Sequence, residues 1–383
     1  MSYCKAPSPQ CPHFKRCGGC SWLDVPYEEQ LARKTEKLKM NLQPFRDCEI
    51  SEITPSESPY YYRNKMEFTF GGTVEEPFLG QHFRGSFHRI ENLTRCLLFD
   101  ERAGVVLEAV RNFARIFKIQ PYNPKTHEGF LRHLKIRVSK TRDEMMIILV
   151  TAGKFEKTAE FVSIFESFPF VKSVYYGINS RLSDIADCEE LHLLSGAEHL
   201  YETLGDTTFI ISPESFFQPN TATSKKMYDS VREMLNLKGD ECVLDLYSGS
   251  GGIGIYIAKD IKFLYSIEIQ KESAEILRQN LKKNGLENVE VFCGDVKNVL
   301  PVVKRNNFDV AVIDPPRSGM SKKAIRKVIS KNPVRIVFFS CKIETAVPNL
   351  LEFGKYGFRI KKAVPFDMFP HTPFMESIFL LER

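Results

Sequence analysis

The sequence predicts a two-part protein, in which a β-rich N-terminal region precedes an α/β domain with a doubly wound, mainly parallel sheet. Three observations support this prediction. Apolar and polar side chains alternate with a period of two between about residues 60 and 206. From about residue 207 onward, apolar strand-like runs alternate with amphipathic helical segments. Acidic residues follow several of these runs, as expected where parallel strands end at a ligand site. We therefore predict domains at residues 1–206 and 207–383.

The 383-residue chain has the composition of an ordinary globular protein, with 43% hydrophobic and 26% charged residues. Its net charge of +5 permits a nucleic-acid partner without requiring one. We expect no membrane span, because no run of about 18 apolar residues occurs. The N-terminal residues lack the apolar segment of a signal peptide, so we expect a cytoplasmic protein. The ten cysteines then indicate metal binding or catalysis more than disulfides.

The N-terminal segment "CPHFKRCGGC" predicts a metal site. It places Cys11, Cys17 and Cys20 at the spacing C-x5-C-x2-C, and its two glycines allow the backbone to turn tightly. The best candidate for a fourth ligand is Cys96, in "ENLTRCLLFD". Four cysteines suit a [4Fe–4S] cluster or zinc. Because zinc usually binds two short knuckles and only one is present, we favour the cluster, with zinc or no metal as alternatives.

The next elements are a helix and a set of strands. "YEEQLARKTEKLKMNL" predicts an amphipathic helix over residues 27–42, with Leu31, Leu38 and Leu42 at helical spacing. "YYRNKMEFTF" and "LRHLKIRV" predict strands, each with one apolar face and one mainly basic face. A basic strand face is either solvated surface or a surface that holds RNA phosphates. The basic side chains concerned are Arg63, Lys65, His133, Lys135 and Arg137.

The C-terminal half contains a glycine motif within its strand–helix alternation. The predicted strands are "ECVLDLY", "FLYSIEI", "VEVFCGD", "FDVAVID", "VRIVFFS" and "SIFLLER", with helices at "KESAEILRQNLKKNGL" and near residues 320–330. "DLYSGSGGIG" places Gly249, Gly251 and Gly254 as G-x-G-x-x-G after the first strand. Dinucleotide-binding folds and methyltransferases both carry this motif, so it identifies a ligand loop without naming the ligand.

Acidic residues distinguish between these ligands. Asp245 lies on the first strand, and Glu268, Asp295 and Asp314 end the next three. An acid after the second strand suits ribose hydroxyls. Four acids around one pocket suit a ligand with an ammonium and a sulfonium group better than they suit a pyrophosphate, and S-adenosylmethionine has both cations. Each acid taken alone is more typical of a helix cap or a solvated turn.

Two further residues complete a candidate active site. Cys341 directly follows the strand "VRIVFFS", where the alternative is an ordinary core cysteine at a strand end. Glu376 precedes the last apolar strand, after a loop with His371 and two prolines. A nucleophile, an acid–base carboxylate and a pocket for a cationic donor together indicate addition–elimination chemistry.

The combination of "CPHFKRCGGC", "SFFQPN", "DLYSGSGGIG", "DPPRSG", "FSC" and "MFPHTPFMES" resembles the RNA uracil-5-methyltransferases that act on 23S rRNA or tRNA. The resemblance covers nearly the whole chain. It implies a Rossmann-like methyltransferase domain joined to a β-rich, RNA-binding region that carries an iron–sulfur site with ligands Cys11, Cys17, Cys20 and Cys96. It implies that S-adenosylmethionine is the donor, and that the donor-binding residues include Gln218, Tyr247, Glu268 and Asp314. To these we add Gly249 and Asp295 from the strand-end pattern.

The resemblance also implies a mechanism. Cys341 would add to uracil C6, C5 would take the methyl group, and Glu376 would remove the C5 proton before the thiolate leaves. Asp314, held by Pro315 and Pro316, would lie between the donor and the base and act as a third catalytic residue.

The chain departs from the family pattern at three places. It reads "SCKIETA" where the family usually continues after the nucleophile with Asn-Pro-x-Thr, and Ser248 and Gly252 stand in the glycine loop where cysteine, threonine or asparagine is more usual. We also expect the chain to lack the small N-terminal barrel of some members, because the cysteine motif starts at residue 11. A cluster motif without the barrel favours a uridine of 23S rRNA, with the T-loop uridine of tRNA as the alternative. A catalytically inactive RNA-binding module is a more distant alternative. An adenine amino-methyltransferase is disfavoured, because such enzymes place an aromatic residue where this chain has Arg317. We expect a monomer.

Overall fold

A computed structural model describes residues 11–86 and 88–383, and the chain forms two compact units. The first unit comprises residues 11–24 together with Ser58–Leu200, and the second comprises Val25–Glu57 together with Tyr201–Arg383. The third crossing between the units, at residues 200–201, lies close to the predicted boundary at residue 206. Residues 25–57, which we had placed with the N-terminal region, instead pack within the second unit, because Leu38 and Leu42 enter its hydrophobic core.

Strands dominate the first unit, whereas helices and strands alternate in the second. The helices are α1 (Tyr27–Leu42), α2 (Ala103–Ile116), α3 (Thr158–Ser163), α4 (Thr221–Leu235), α5 (Gly252–Ile257), α6 (Lys271–Lys283), α7 (Val296–Val299), α8 (Lys322–Ile329) and α9 (Ile343–Gly354). The strands before the glycine motif are β1 (Glu49–Ile50), β2 (Lys65–Gly72), β3 (Pro77–His82), β4 (Ile90–Asn92), β5 (Leu131–Ser139), β6 (Glu144–Thr151), β7 (Val171–Ile178), β8 (Glu190–Gly196), β9 (Leu200–Leu204) and β10 (Thr207–Ile211). The later strands are β11 (Cys242–Leu246), β12 (Phe263–Glu268), β13 (Val289–Cys293), β14 (Val310–Ile313), β15 (Arg335–Ser340), β16 (Arg359–Phe366) and β17 (Glu376–Glu382). Within the described ranges, no helix has the length and hydrophobicity needed to span a bilayer.

The main sheet of the second unit confirms the predicted α/β fold. Its strand order is β1-β16-β17-β15-β14-β11-β12-β13, and β11 to β15 are parallel to one another. Strand β17 runs antiparallel to both of its neighbours. The chain leaves β11 toward β12 and β13 on one side and returns to β14 on the other side. This reversal of direction creates a topological switch point between β11 and β14.

Apolar side chains cover both faces of this sheet. Leu244 and Leu246 of β11 pack into a core with α1, α8 and α9. Val243, on the opposite face, packs into a second core with α4, α5 and α6. Helices on both faces explain why the strands read as almost continuous apolar runs instead of alternating ones.

The first unit contains a seven-stranded sheet whose order is β4-β3-β2-β5-β6-β7-β8. Its pairs are antiparallel except β6 with β7. Helices α2 and α3 bury the apolar face of β2, β5 and β6. The strands predicted from "YYRNKMEFTF" and "LRHLKIRV" are present as β2 and β5, and they pair with each other.

The predicted basic face of β5 is not a solvated surface, and this part of the prediction is wrong. All nine residues of β5 are buried, and His133, Lys135 and Arg137 are at most 3% exposed. The segment 179–188 lies against this face: the guanidinium of Arg132 donates to the carbonyls of residues 179, 181 and 183, and Lys135 donates to the Cys188 sulfur. Lys65 on β2 remains partly exposed and pairs with Glu67.

Candidate active site at the carboxyl ends of the parallel strands

A cleft opens at the switch point of the second unit, where β11 and β14 end. We call it the strand-end cleft. The space between its walls, including open solvent, is about 510 Å³. The residues that line it include Gln218, Tyr228, Asp245, Tyr247, Ser248, Gly249 and Asp314. The hydroxyl oxygen of Ser248 is buried there without a hydrogen-bond partner in the described part of the chain, so the cleft offers an unused polar group to a ligand.

The glycine motif forms the turn from β11 into α5. Tyr247, Gly249 and Gly251 all have positive φ angles, of 61°, 55° and 93°. The carboxylate of Glu268 holds this turn, because its oxygens accept the N–H groups of Gly249 at 2.8 Å and of Gln270 at 2.7 Å. Glu268 therefore has a structural role, the anchoring of the glycine loop to the end of β12, and its donor-binding role stays a prediction.

Gly254 is required for a different reason. A Cβ atom at this position would lie 2.2 Å from Oδ2 of Asp245, well inside van der Waals contact. The missing side chain lets α5 pack directly over the carboxyl of β11. Ser266, on the neighbouring strand β12, donates to the same oxygen at 3.4 Å.

Three carboxyls with raised pKa values gather in this region. Burial, together with repulsion by Asp314 and Glu268, raises the pKa of Asp245 to about 7. Burial likewise raises the pKa of Asp314 to about 7. The pKa of Glu376 lies well above its ordinary value because the group is buried and because Asp314 repels its ionised form. Raised carboxyl pKa values in a cleft are typical of functional sites, where a bound cation or a proton transfer stabilises the charge.

Tyr228 belongs to this group of residues but was not identified from the sequence. It lies on α4, lines the strand-end cleft, and is 5% exposed. Burial and the charges of Asp314, Asp245 and Glu376 raise the pKa of its hydroxyl. Its position between core residues of an amphipathic helix carries no motif, so no local sequence signal could have separated it from an ordinary core tyrosine.

Strand pairing brings Cys341 and Glu376 together. In the antiparallel pair of β15 and β17, Ser340 lies opposite Ser377. The next residues outward along the two strands are therefore Cys341 and Glu376, and they face each other at the end of the ladder. Ser340 then turns the chain into α9, since its hydroxyl donates to the carbonyl of Lys342 at 3.0 Å and accepts that residue's N–H at 3.2 Å.

Opposing influences act on the thiol of Cys341. Burial raises its pKa most strongly, and the nearby charges of Glu376 and Asp314 raise it further. A hydrogen bond and the positive charge of Arg317 favour the thiolate and oppose this increase. The Arg317 guanidinium also lies 5.2 Å from the ring centre of Phe374, which is 44% exposed. Of the groups that influence this thiol, Arg317 is the one that favours a nucleophilic sulfur.

The remaining predicted donor residue, Asp295, is engaged elsewhere. Its carboxylate caps α7 by accepting the N–H of Lys297 at 2.9 Å, and it pairs with the Lys297 ammonium at 3.0 Å. These contacts hold its pKa below the ordinary value, although burial opposes them. Asp295 is thus a helix cap at the end of β13. It is not among the residues that line the strand-end cleft, but its charge, together with burial, raises the pKa of Tyr247, which does line it, so its role at the donor stays a prediction.

The four cysteines of the predicted metal site lie in the first unit. Within residues 11–86 and 88–383, no three His, Cys, Asp or Glu side chains are close enough together to hold a metal ion. The four cysteines are nevertheless neighbours, because the charges of Cys96, Cys17 and Cys11 all help to raise the pKa of Cys20. Cys17 accepts the N–H of Gly19 at 3.4 Å, and backbone hydrogen bonds to Cys96 partly oppose the effect of burial, which raises its pKa to about 11.

Comparison with known proteins places this arrangement among RNA methyltransferases. The sequence profile of the tRNA (uracil-5-)-methyltransferase family matches residues 197–383. Proteins of Clostridium tetani and Caldanaerobacter subterraneus subsp. tengcongensis, both named "Uncharacterized RNA methyltransferase", are each 36% identical; they cover 98% and 97% of this chain and 84% of their own length. A similar solved structure is the Pyrococcus abyssi tRNA (uracil-54, C5)-methyltransferase in complex with S-adenosyl-L-homocysteine. It has a TM-score of 0.79 and 29% identity, over 95% of this chain and 85% of that one.

Proposed function

The chain belongs to the RNA (uracil-5-)-methyltransferase family, and from this membership we propose the mechanism and the substrate that follow. The protein is an S-adenosylmethionine-dependent enzyme that methylates uracil in RNA at C5. We propose that Cys341 is its nucleophile, Glu376 its general base, and Asp314 the carboxylate between the methyl donor and the base. The observation that carries this proposal is the pairing of β15 with β17, which sets Cys341 opposite Glu376 beside Asp314.

The proposed reaction begins at Cys341. Its thiolate adds to C6 of the uracil, and the electron pair of the C5–C6 double bond moves into an enolate on O4. C5 then bonds to the methyl carbon of the donor, whose carbon–sulfur pair stays on the departing S-adenosylhomocysteine. Glu376 takes the proton from C5, the double bond re-forms, and the thiolate leaves C6. Arg317 favours the thiolate at the first step and again when the thiolate leaves.

The strand-end cleft suits S-adenosylmethionine, which supplies a methyl group bound to a positively charged sulfur. Asp245 and Asp314 have raised pKa values, so a cation beside them would restore their ordinary ionisation. We propose that Gln218, Tyr247 and Gly249, which line the cleft, also contact the donor, and that the unused hydroxyl of Ser248 contributes a hydrogen bond. We propose a further contact from Glu268, at the end of β12, to the ribose hydroxyls.

Two substitutions test the proposed roles of the thiol and the carboxyl. Cys341→Ala should abolish both methyl transfer and covalent attachment to RNA. Glu376→Gln should transfer one methyl group and then stay bonded to the RNA, because only proton removal is blocked. Cys293→Ala, at an exposed cysteine on β13, is the matched control and should behave like the wild type. Turnover by Glu376→Gln near the wild-type rate would show that another group is the base.

The proposed substrate is a uridine in structured RNA. We favour a loop of 23S rRNA, because the chain carries the N-terminal cysteine motif. A second candidate is the T-loop uridine of tRNA, and the similarity to the Pyrococcus abyssi tRNA (uracil-54, C5)-methyltransferase favours it. In either RNA the base has to leave its stack to reach Cys341. One experiment decides between these substrates. The enzyme is incubated with labelled donor and either protein-free 23S rRNA or unmodified tRNA transcripts, and label in tRNA alone would refute the rRNA assignment.

We also propose that Cys11, Cys17, Cys20 and Cys96 bind a [4Fe–4S] cluster, which would cross-link two distant parts of the first unit. Tetrahedral zinc would need the four sulfurs about 3.8 Å apart. A [4Fe–4S] cluster is larger than a zinc ion and holds its four sulfur ligands further apart. It therefore suits four cysteines whose charges affect the pKa of Cys20 but whose sulfur atoms do not converge on a single point. Anaerobically purified protein should be brown, with about four irons per chain, and Cys20→Ser should lose them while Cys48→Ser does not. Colourless protein with stoichiometric zinc would contradict the cluster.

A further inference from the structure

Helix α1 buries two polar side chains on the face that packs into the second unit. Gln30 and Lys34 have no exposed surface, and they lie on the same helical face as the apolar residues Leu38 and Leu42. The sequence had instead predicted Leu31 on this face, and Leu31 is only half-buried. A buried amide and a buried ammonium destabilise a fold unless they are hydrogen-bonded. Their partners therefore show what this part of the helix does.

Four hydrogen-bonding contacts of Gln30 and Lys34 are made to one short segment, between the end of β16 and the start of β17. The Lys34 ammonium donates to Oδ1 of Asp367 at 2.5 Å and to the carbonyl of Phe369 at 3.1 Å. The Gln30 amide oxygen accepts the backbone N–H of His371 at 2.8 Å, and its amide nitrogen lies 3.1 Å from Nδ1 of the same residue. The amide nitrogen also donates to the carbonyl of Val25 at 2.8 Å, which fixes the amide orientation.

This segment leads directly to the proposed base. Residues 367–375 connect β16 with β17, and Glu376 is the first residue of β17. Within the segment, His371 is 2% exposed and has a φ of 64°, a left-handed conformation that residues other than glycine rarely adopt. Such a backbone persists only where surrounding contacts enforce it. The two contacts between Gln30 and His371 are contacts of this kind.

We infer that Gln30 and Lys34 are positioning residues for Glu376. By fixing the path of residues 367–375, they set where the Glu376 carboxylate meets the proton on C5. Cys341 and Asp314 follow other strands, β15 and β14, whereas these hydrogen bonds of Gln30 and Lys34 reach the segment before β17. Loss of the α1 contacts should therefore slow proton removal more than methyl transfer. This inference rests on the proposed role of Glu376 as the base.

The test separates the two steps within a single turnover. RNA that carries tritium at uridine C5 is mixed with donor that carries a 14C methyl group, and the two labels are followed together. The wild type should release about one tritium for each methyl transferred, in step. Gln30→Ala should transfer the methyl group nearly as fast but release tritium about 10- to 100-fold more slowly, as expected for a displacement of about 1 Å or less. A protein–RNA adduct that survives denaturation should accumulate meanwhile.

Two further variants make the test decisive. Arg33→Ala alters an exposed side chain of the same helix and should keep the two labels in step. The double variant Lys34→Met with Asp367→Leu replaces the buried ion pair by apolar side chains of similar size. Because it leaves no unpaired buried charge, it can be measured even if the single variants fold poorly. It should delay tritium release as Gln30→Ala does.

The outcomes distinguish this inference from the proposed function. If Glu376→Gln, measured in parallel, forms no adduct and releases tritium normally, the base role itself is wrong and this inference falls with it. If Glu376→Gln forms the adduct but Gln30→Ala and the double variant keep tritium release in step with methyl transfer, the positioning role is refuted and the base role stands. An equal slowing of both steps would also refute it, since a merely structural contact has that effect.

Discussion

We expect S-adenosylmethionine to bind more tightly as the pH rises from 6 to 8. The reason is the pair of carboxyls in the strand-end cleft, Asp245 and Asp314, whose pKa values are each raised to about 7. At pH 6 these carboxyls are largely protonated, so a cation that needs an ionised carboxylate must first displace a proton. At pH 8 the carboxylate is already present, and that cost disappears.

The size of the effect follows from the ionised fractions. A carboxyl with a pKa of about 7 is roughly 9% ionised at pH 6 and roughly 91% ionised at pH 8. If the bound donor lowers this pKa below about 5, the dissociation constant should fall about tenfold between the two pH values. Ionisation of Asp314 raises the pKa of Asp245, so we expect only one carboxyl of the pair to cause the roughly tenfold change in the dissociation constant. Binding at pH 6 should then release about one proton.

Isothermal titration calorimetry at pH 6, 7 and 8 measures both quantities, provided that each pH is repeated in two buffers with different ionisation enthalpies. Asp314→Asn should bind more weakly at pH 8 and show a flatter pH dependence. Asp295→Asn is the matched control: it changes a strand-end carboxyl that caps α7 and pairs with Lys297, and it should leave the pH dependence intact. S-adenosylhomocysteine, whose sulfur is uncharged, should show a weaker pH dependence than the donor.

Three results would refute this reasoning. One is a dissociation constant for S-adenosylmethionine that changes less than about twofold between pH 6 and 8. Another is an equal pH dependence for S-adenosylhomocysteine, which would remove the sulfonium from the explanation. The third is a flattened pH dependence of donor binding in Asp295→Asn together with an unchanged pH dependence in Asp314→Asn. This result would show that Asp295, and not Asp314, is the carboxyl that titrates.

Three more predictions concern single positions. Gly254→Ala should weaken donor binding more than tenfold by calorimetry, because its Cβ would lie 2.2 Å from an Asp245 oxygen, whereas Gly354→Ala, with no atom within 4 Å, should bind normally. Asp245→Asn should stabilise the donor-free protein by about 3 kcal/mol more at pH 8 than at pH 5, measured by chemical denaturation. A folded-state pKa of about 7 against an ordinary 3.8 means that stability is lost as the pH rises through this window, by about 4 kcal/mol in all, of which about 2 kcal/mol is already lost at pH 5. Arg317→Met should move the pH of half-maximal single-turnover methyl transfer upward, because the guanidinium that favours the Cys341 thiolate is gone.

Local patterns were sufficient to predict the architecture of the catalytic unit. The alternation of apolar runs with amphipathic helices predicted a parallel sheet, and the general rule for ligand sites in such sheets then directed attention to the strand ends. Cys341, Glu376 and Asp314 follow or begin strands that lie side by side, so their neighbourhood follows from strand order and register. Each of these inferences depends on a short stretch of chain and on one general rule of sheet topology.

Contacts between distant segments could not be predicted in this way. The alternation in "LRHLKIRV" predicts on which face of the sheet each side chain lies, but not which segment packs on that face. No sequence pattern therefore predicted that residues 179–188 would bury Lys135. Helical spacing placed Leu31 on the buried side of α1, whereas Gln30 and Lys34 are buried because their partners lie more than 330 residues further along the chain. Asp295 resembled the other strand-end acids, and only its contacts with Lys297 identify it as a helix cap.

The electrostatics of the site match the order of the proposed steps. Cys341 has to be ionised at the start and Glu376 near the end, yet each negative charge opposes the other, because Glu376 raises the pKa of the thiol and a thiolate disfavours a carboxylate beside it. The two ionised states are needed at different times. Once the sulfur of Cys341 is bonded to C6 it carries no charge, so it no longer disfavours an ionised Glu376. Addition therefore lowers the pKa of Glu376 before the C5 proton has to be removed, and the base becomes available after the nucleophile has been used.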